Sequence, residues 1–176
     1  MTRIVFAFLL SAVVPFAGLA AENEFSSTTI HIGMVVSDLE KSRAFYKDVI
    51  GFVQVDRTEF EVDSDFGKKS GLTDSLPIHV EVLKLGKGEN ATQLKLMSFG
   101  DKAKKQENDF IHTQTGVQYL TINVTELEPI LERIKKAKVQ LLGETPIPLG
   151  NGDRQFVLVK DPDGTFLELI GPMKKQ

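Results

Sequence analysis

Hydrophobic and polar positions follow two rhythms along the chain, and both rhythms occur twice. The first appearance is "TTIHIGMVVSDLEKSRAFYKDVIGF". A short β-rich run ends at Val36; Leu39, Tyr46, Val49 and Ile50 then recur at helical spacing, and Gly51 supplies a stop. The second is "GVQYLTINVTELEPILERIKKAKVQLL", where Leu127, Ile130, Leu131 and Ile134 repeat the helical stripe. One fixed offset lays Val36 on Val124, Asp38 on Glu126 and Leu39 on Leu127. The spacing predicts helices near Leu39–Ile50 and Leu127–Ala137. Ser37-x-x-Glu40 and Thr125-x-x-Glu128 have the form of capping boxes, in which a hydroxyl and a carboxylate satisfy free amides of the first turn. Pro129 falls in that first turn, where its missing N–H costs little.

After each helix the period shortens to two. In the second half "GNGD" (Gly150–Asp153) reads as a hairpin turn, "RQFVLVK" as a strand, "DPDG" (Asp161–Gly164) as a turn and "TFLELIG" as the last strand. The first half ends alike, with "IHVEVLKL", "GKGEN" and "TQLKLMSF". If "GKGEN" sets Leu85 opposite Ala91, Glu81 lies opposite Lys95 and the two form a cross-strand ion pair. The polar stretch Asp63–Ser75 reads as a long loop. The expected architecture is α+β, two tandem βαβββ modules: module one over 28–99, a linker over 100–115 and module two over 116–172. Neither module is large enough to bury its own sheet, so the two are expected to pair.

Residues 1–20 obey a different grammar. Arg3 is a basic head, Ile4–Phe16 is an apolar core interrupted by Ser11 and Pro15, and Gly18 and Ala20 are small residues placed for cleavage. The run is shorter than the ~20 apolar residues of a spanning helix. A signal peptide is expected, giving an exported protein, periplasmic or secreted, with no membrane attachment after cleavage. The net charge of −3, with both signs interspersed, carries no nucleic-acid footprint. The absence of cysteine rules out disulfides, thiolate metal sites and thiol catalysis.

The motifs "HIGMVVSDLEKSRAFYKDVIGF" and "VKDPDGTFLELIGP" resemble the vicinal oxygen chelate superfamily, the glyoxalase, bleomycin-resistance and extradiol dioxygenase group. The resemblance spans about Thr28 to Pro172. It implies that the curled sheets of paired modules form a cup, and that the modules pair within one chain or across a homodimer. It also implies a metal site built from the first and last strands, carrying His31 onto the first ligand position and Glu168 onto the last. The remaining two positions fall on Tyr119 and Lys95. A protonated lysine has no lone pair, and a neutral phenol is a poor ligand. His79 and Glu81, two apart, share a strand face, and His112 lies in the polar linker.

The expectation is therefore a protein that binds a small molecule, preferably an anion, in its cup. His31, Lys95, Tyr119 and Glu168 are the polar groups of the site, with no metal and no cofactor. The alternative is a metal-dependent glyoxalase-type lyase or isomerase, or a dioxygenase. It would use a divalent ion at His31 and Glu168, with Glu168 as proton-transfer base.

Overall fold

The computed structural model describes residues 25–100, 103–105 and 107–173. The expected leader, residues 1–20, lies outside the described residues. Two open four-stranded sheets share one plan. The first comprises β1 (Ile32–Val35), β2 (Val53–Val62), β3 (Ile78–Lys84) and β4 (Gln93–Ser98), in the order β1-β4-β3-β2. The second comprises β5 (Tyr119–Asn123), β6 (Ile147–Leu149), β7 (Arg154–Lys160) and β8 (Phe166–Gly171), in the order β5-β8-β7-β6. In each, the first strand runs parallel to the last and every other pair is antiparallel. This is the doubled βαβββ arrangement expected from the repeat.

The helices form where the apolar stripes predicted them. Helix α1 (Leu39–Ala44) continues through Phe45–Ile50 with wider π-helical bonding and stops at Gly51, whose φ of 105° suits glycine. Helix α3 covers Glu128–Lys136. Neither capping box forms. Asp38 caps α1, accepting the Lys41 N–H at 3.1 Å, while the Ser37 hydroxyl donates instead to Asp163 of module two. Leu127 precedes α3 without a side-chain cap, and its own N–H is bound by Pro172 O at 3.0 Å. At α1 a tertiary partner outcompetes the local one.

The stretch expected as a long loop contains a third helix, α2 (Ser64–Ser70). Asp63 caps it by accepting the N–H groups of Asp65 and Phe66, both at 2.9 Å, and Gly71 closes it.

Period-two alternation sorts each strand into two faces. Leu83, Leu94 and Leu96 of the first sheet, and Val157, Val159, Leu167 and Leu169 of the second, are fully buried against the helices. One apolar cluster takes in residues of both modules, including Tyr46, Val49 and Ile50 from the first and Leu127, Ile130 and Ile134 from the second.

Polar contacts then lock the modules together. The buried Tyr46 hydroxyl donates to Asp161 Oδ2 at 2.8 Å. Asp163 accepts from the main-chain N–H and hydroxyl of Ser37 and from the hydroxyl of Ser42. Arg133 of α3 donates to the carbonyls of Val49 and Ile50 at 2.8 and 3.1 Å, where α1's continuation ends.

Candidate functional site

The parallel strand pairs fix where the candidate residues stand. In the first sheet Gly33 pairs with Lys95, and in the second Thr121 pairs with Glu168. All four alternate with core residues and so lie on the faces turned away from the helices. His31 and Tyr119 precede Gly33 and Thr121 by two positions. Tyr119 opens β5, but His31 lies one residue before β1, outside the strand where it was expected. Each sheet thus presents half of the candidate set: His31 and Lys95 on the first, Tyr119 and Glu168 on the second.

Glu168 is half-buried, and the Thr121 hydroxyl donates to its Oε2 at 2.6 Å. No hydrogen bond or ion pair joins His31, Lys95 or Tyr119 to Glu168 or to one another among the described residues. Thr121 is the site residue that motif reading missed. Its signal was available in the repeat, since it is the strand neighbour of Tyr119 that faces the last-strand acid.

The expected Lys95–Glu81 pair does not form. Leu85 N bonds Thr92 O, not the next residue along, so Glu81 stands opposite Leu96 and Lys95 opposite Val82. A one-residue shift sends the two side chains to opposite faces. Glu81 is buried on the helix side, where Gln54 Nε2 donates to it at 3.0 Å and Arg43 Nη1 lies 3.5 Å away. Desolvation raises its pKa, and the Arg43 charge only partly offsets that. His79 shares this face, its Nε2 2.9 Å from a Glu59 oxygen. Neither residue can substitute at the candidate site. His112 stacks on exposed Phe110 in the linker.

Lys95 has neither hydrogen bond nor ion pair among the described residues. Its strand neighbours at the same level are Gly33 and Val82, which offer no charge. Among the described residues no three His, Cys, Asp or Glu side chains are grouped as metal ligands. One imidazole and one carboxylate, with an ammonium and a phenol at the paired positions, are not a donor set that fits a divalent ion.

Residues 28–169 match the Glyoxalase/Bleomycin resistance protein/Dioxygenase superfamily. The chain belongs to that superfamily. Solved structures with the same fold include a glyoxalase family protein from Bacillus cereus, 16% identical with a TM-score of 0.67, covering 88% of this chain and 99% of that one. A glyoxylase/bleomycin resistance protein/dioxygenase domain from Frankia sp. EAN1pec is 17% identical with a TM-score of 0.59, covering 83% and 98%. The trypanothione-dependent glyoxalase I of Leishmania major is 20% identical with a TM-score of 0.57, covering 83% and 87%. At these identities the likeness is one of fold. No curated protein matches the chain. The superfamily hosts many chemistries on one scaffold, so function has to be argued from the site.

Proposed function

We propose that this superfamily member is an exported protein that binds a small molecule, preferably an anion, on the helix-distal faces of its sheets without a divalent metal. The observation that carries this reading is Lys95. It is a partly exposed ammonium held at fixed register on the helix-distal face, between uncharged neighbours and with no carboxylate partner among the described residues. Such a charge attracts an anion and repels a metal ion. Tyr119 adds a hydroxyl on a stacking surface, and His31 a further polar group at the head of β1.

Isothermal titration of the purified protein with small carboxylates, and separately with Zn, Ni, Mn and Fe(II) salts, tests it. Carboxylate binding that weakens about tenfold in a Lys95→Ala variant is expected. Tight, stoichiometric metal binding that vanishes in a His31→Ala variant overturns it.

A second reading rests on a different contact. Thr121 holds Oε2 of Glu168 and leaves Oε1 without a hydrogen-bond partner among the described residues. An oriented carboxylate with one free oxygen is what a proton-transfer base requires. In the lyase, isomerase or dioxygenase alternative, Glu168 takes that role.

A further inference from the structure

We propose that the gap between the two open strand edges is a second binding site, for a short extended acid that carries an amide, such as an N-acyl amino acid. β1 and β5 are the end strands of their sheets. A cavity of about 350 Å³ lies between β1 and the start of module two, with apolar walls from Ile32, Met34, Val35, Val117 and Leu120. None of His31, Lys95, Tyr119 and Glu168 lines it. The two sites are therefore separable by experiment.

The edge of β1 supplies the polar recognition. Val36 donates its N–H to Met97 O at 2.9 Å, although the residue in register with Met97 is Val35. In a parallel pair only alternate residues bond to the neighbouring strand, so the even-numbered residues of β1 serve β4. The main-chain N–H and C=O groups of Gly33 and Val35 point to the open side. They have no hydrogen-bond partner among the described residues. An extended amide entering the cavity bonds to them as an added strand does.

Lys104 stands at the cavity wall, also without a hydrogen bond or ion pair among the described residues, and receives a carboxylate. Asp163 borders the cavity too, but its oxygens are taken by Ser37 and Ser42, so it offers a ligand no vacant acceptor. The apolar walls leave room for one aliphatic side chain. At about 350 Å³ the cavity is near the lower end of small-molecule pockets, which excludes all but the shortest peptides.

The probe is N-acetyl-leucine, which has one amide, one carboxylate and one aliphatic side chain. Titration followed by ¹⁵N–¹H NMR is expected to shift the amide resonances of Gly33, Val35 and Lys104. 4-Methylpentanoate, lacking the amide, and the methyl ester of N-acetyl-leucine, lacking the carboxylate, are each expected to bind about tenfold more weakly. Val35→Pro deletes one edge N–H but no bond to β4, and is expected to weaken N-acetyl-leucine about tenfold. Lys104→Ala, at an exposed position, is expected to do the same, while in Lys95→Ala the shifts at Val35 and Lys104 titrate as before even though carboxylate binding at Lys95 itself is weakened.

No shift at these three amides up to about 50 mM ligand overturns the proposal, as do shifts confined to Lys95, Tyr119 and Glu168. Unaltered affinity in Lys104→Ala overturns it as well, and this variant remains decisive if Val35→Pro does not fold.

Discussion

Replacing Tyr46 by Phe removes one oxygen, which donates to Asp161 of the other module and also lies 3.5 Å from Met34 Sδ. Tyr46 is fully buried, and its ring makes edge-on contacts with Phe45 and Phe52, at centroid distances of 5.2 and 5.6 Å, that a phenylalanine retains. Asp161 Oδ1 already accepts the N–H groups of Asp163 and Thr165, at 2.9 and 2.8 Å. Oδ2 depends on the Tyr46 hydroxyl at 2.8 Å. Losing a hydrogen bond to a buried charged acceptor costs about 1.5–3 kcal/mol, because the carboxylate oxygen is left desolvated and unpaired.

Urea denaturation at pH 7 is the assay. With a slope of about 1–3 kcal/mol/M, a loss near 2 kcal/mol lowers the midpoint by roughly 1 M. The loss is expected to shrink as the pH is lowered, because protonation relieves the unpaired carboxylate. In a double-mutant cycle with Asp161→Asn the two changes are expected to couple by about 1–2 kcal/mol. A Tyr46→Phe loss below about 0.5 kcal/mol at pH 7, with an unchanged slope, refutes the claim that this hydroxyl fastens the modules together.

Burial raises the pKa of both Asp161 and Glu81 in the folded chain above their ordinary values of 3.8 and 4.5. A raised carboxyl contributes stability that is fully present below its ordinary value and is lost as pH rises through the folded one. The contribution of these two groups therefore falls over that interval, and Asp161→Asn flattens part of the fall in urea titrations run at several pH values. Asp38, whose pKa the Lys41 main-chain N–H lowers, acts in the opposite sense. Gly171→Ala is expected to cost about 1–3 kcal/mol in thermal or urea unfolding, because its new Cβ would sit 2.6 Å from Val124 O, a main-chain atom with no freedom to give way. Arg133→Ala removes both donors from the carbonyls of Val49 and Ile50 and is expected to cost about 1–3 kcal/mol by the same measurement; an effect under about 0.5 kcal/mol would mean that water replaces the guanidinium there.

The duplicated plan, both long helices and the turns at Gly150–Asp153 and Asp161–Gly164 were legible because each rests on local periodicity or turn chemistry. What escaped depends on partners far along the chain. The hydroxyl of Ser37 has the right spacing for a cap, but Asp163 claims it from 126 residues away. The hairpin around "GKGEN" was legible and its register was not, since a loop one residue longer or shorter is equally compatible with the pattern. That single residue decides whether Glu81 faces Lys95 or Arg43. Helix α2 left readable signs in Asp63 and Gly71, outweighed by a polar composition typical of loops. At the candidate site, the motif identified Glu168 and Lys95 by position. The Thr121 contact needed the parallel pairing of β5 and β8.

Among the described residues, the polar fastenings named above reach across from module two: Asp163 grips Ser37 and Ser42 at the start of α1, Asp161 grips Tyr46 in its continuation, and Arg133 grips the end of that continuation. Their strength resides in side chains and in a shared core; the peptide joining Ser98 to Tyr119 adds contacts of its own, Lys105 to Pro162 O and Lys160 to Asn108 O, and keeps the halves at high effective concentration. A chain cut within that connection is then expected to behave as a two-fragment complex with a dissociation constant. The same contacts make the fold a candidate for splitting into complementary halves whose reassembly reports on whatever is fused to them.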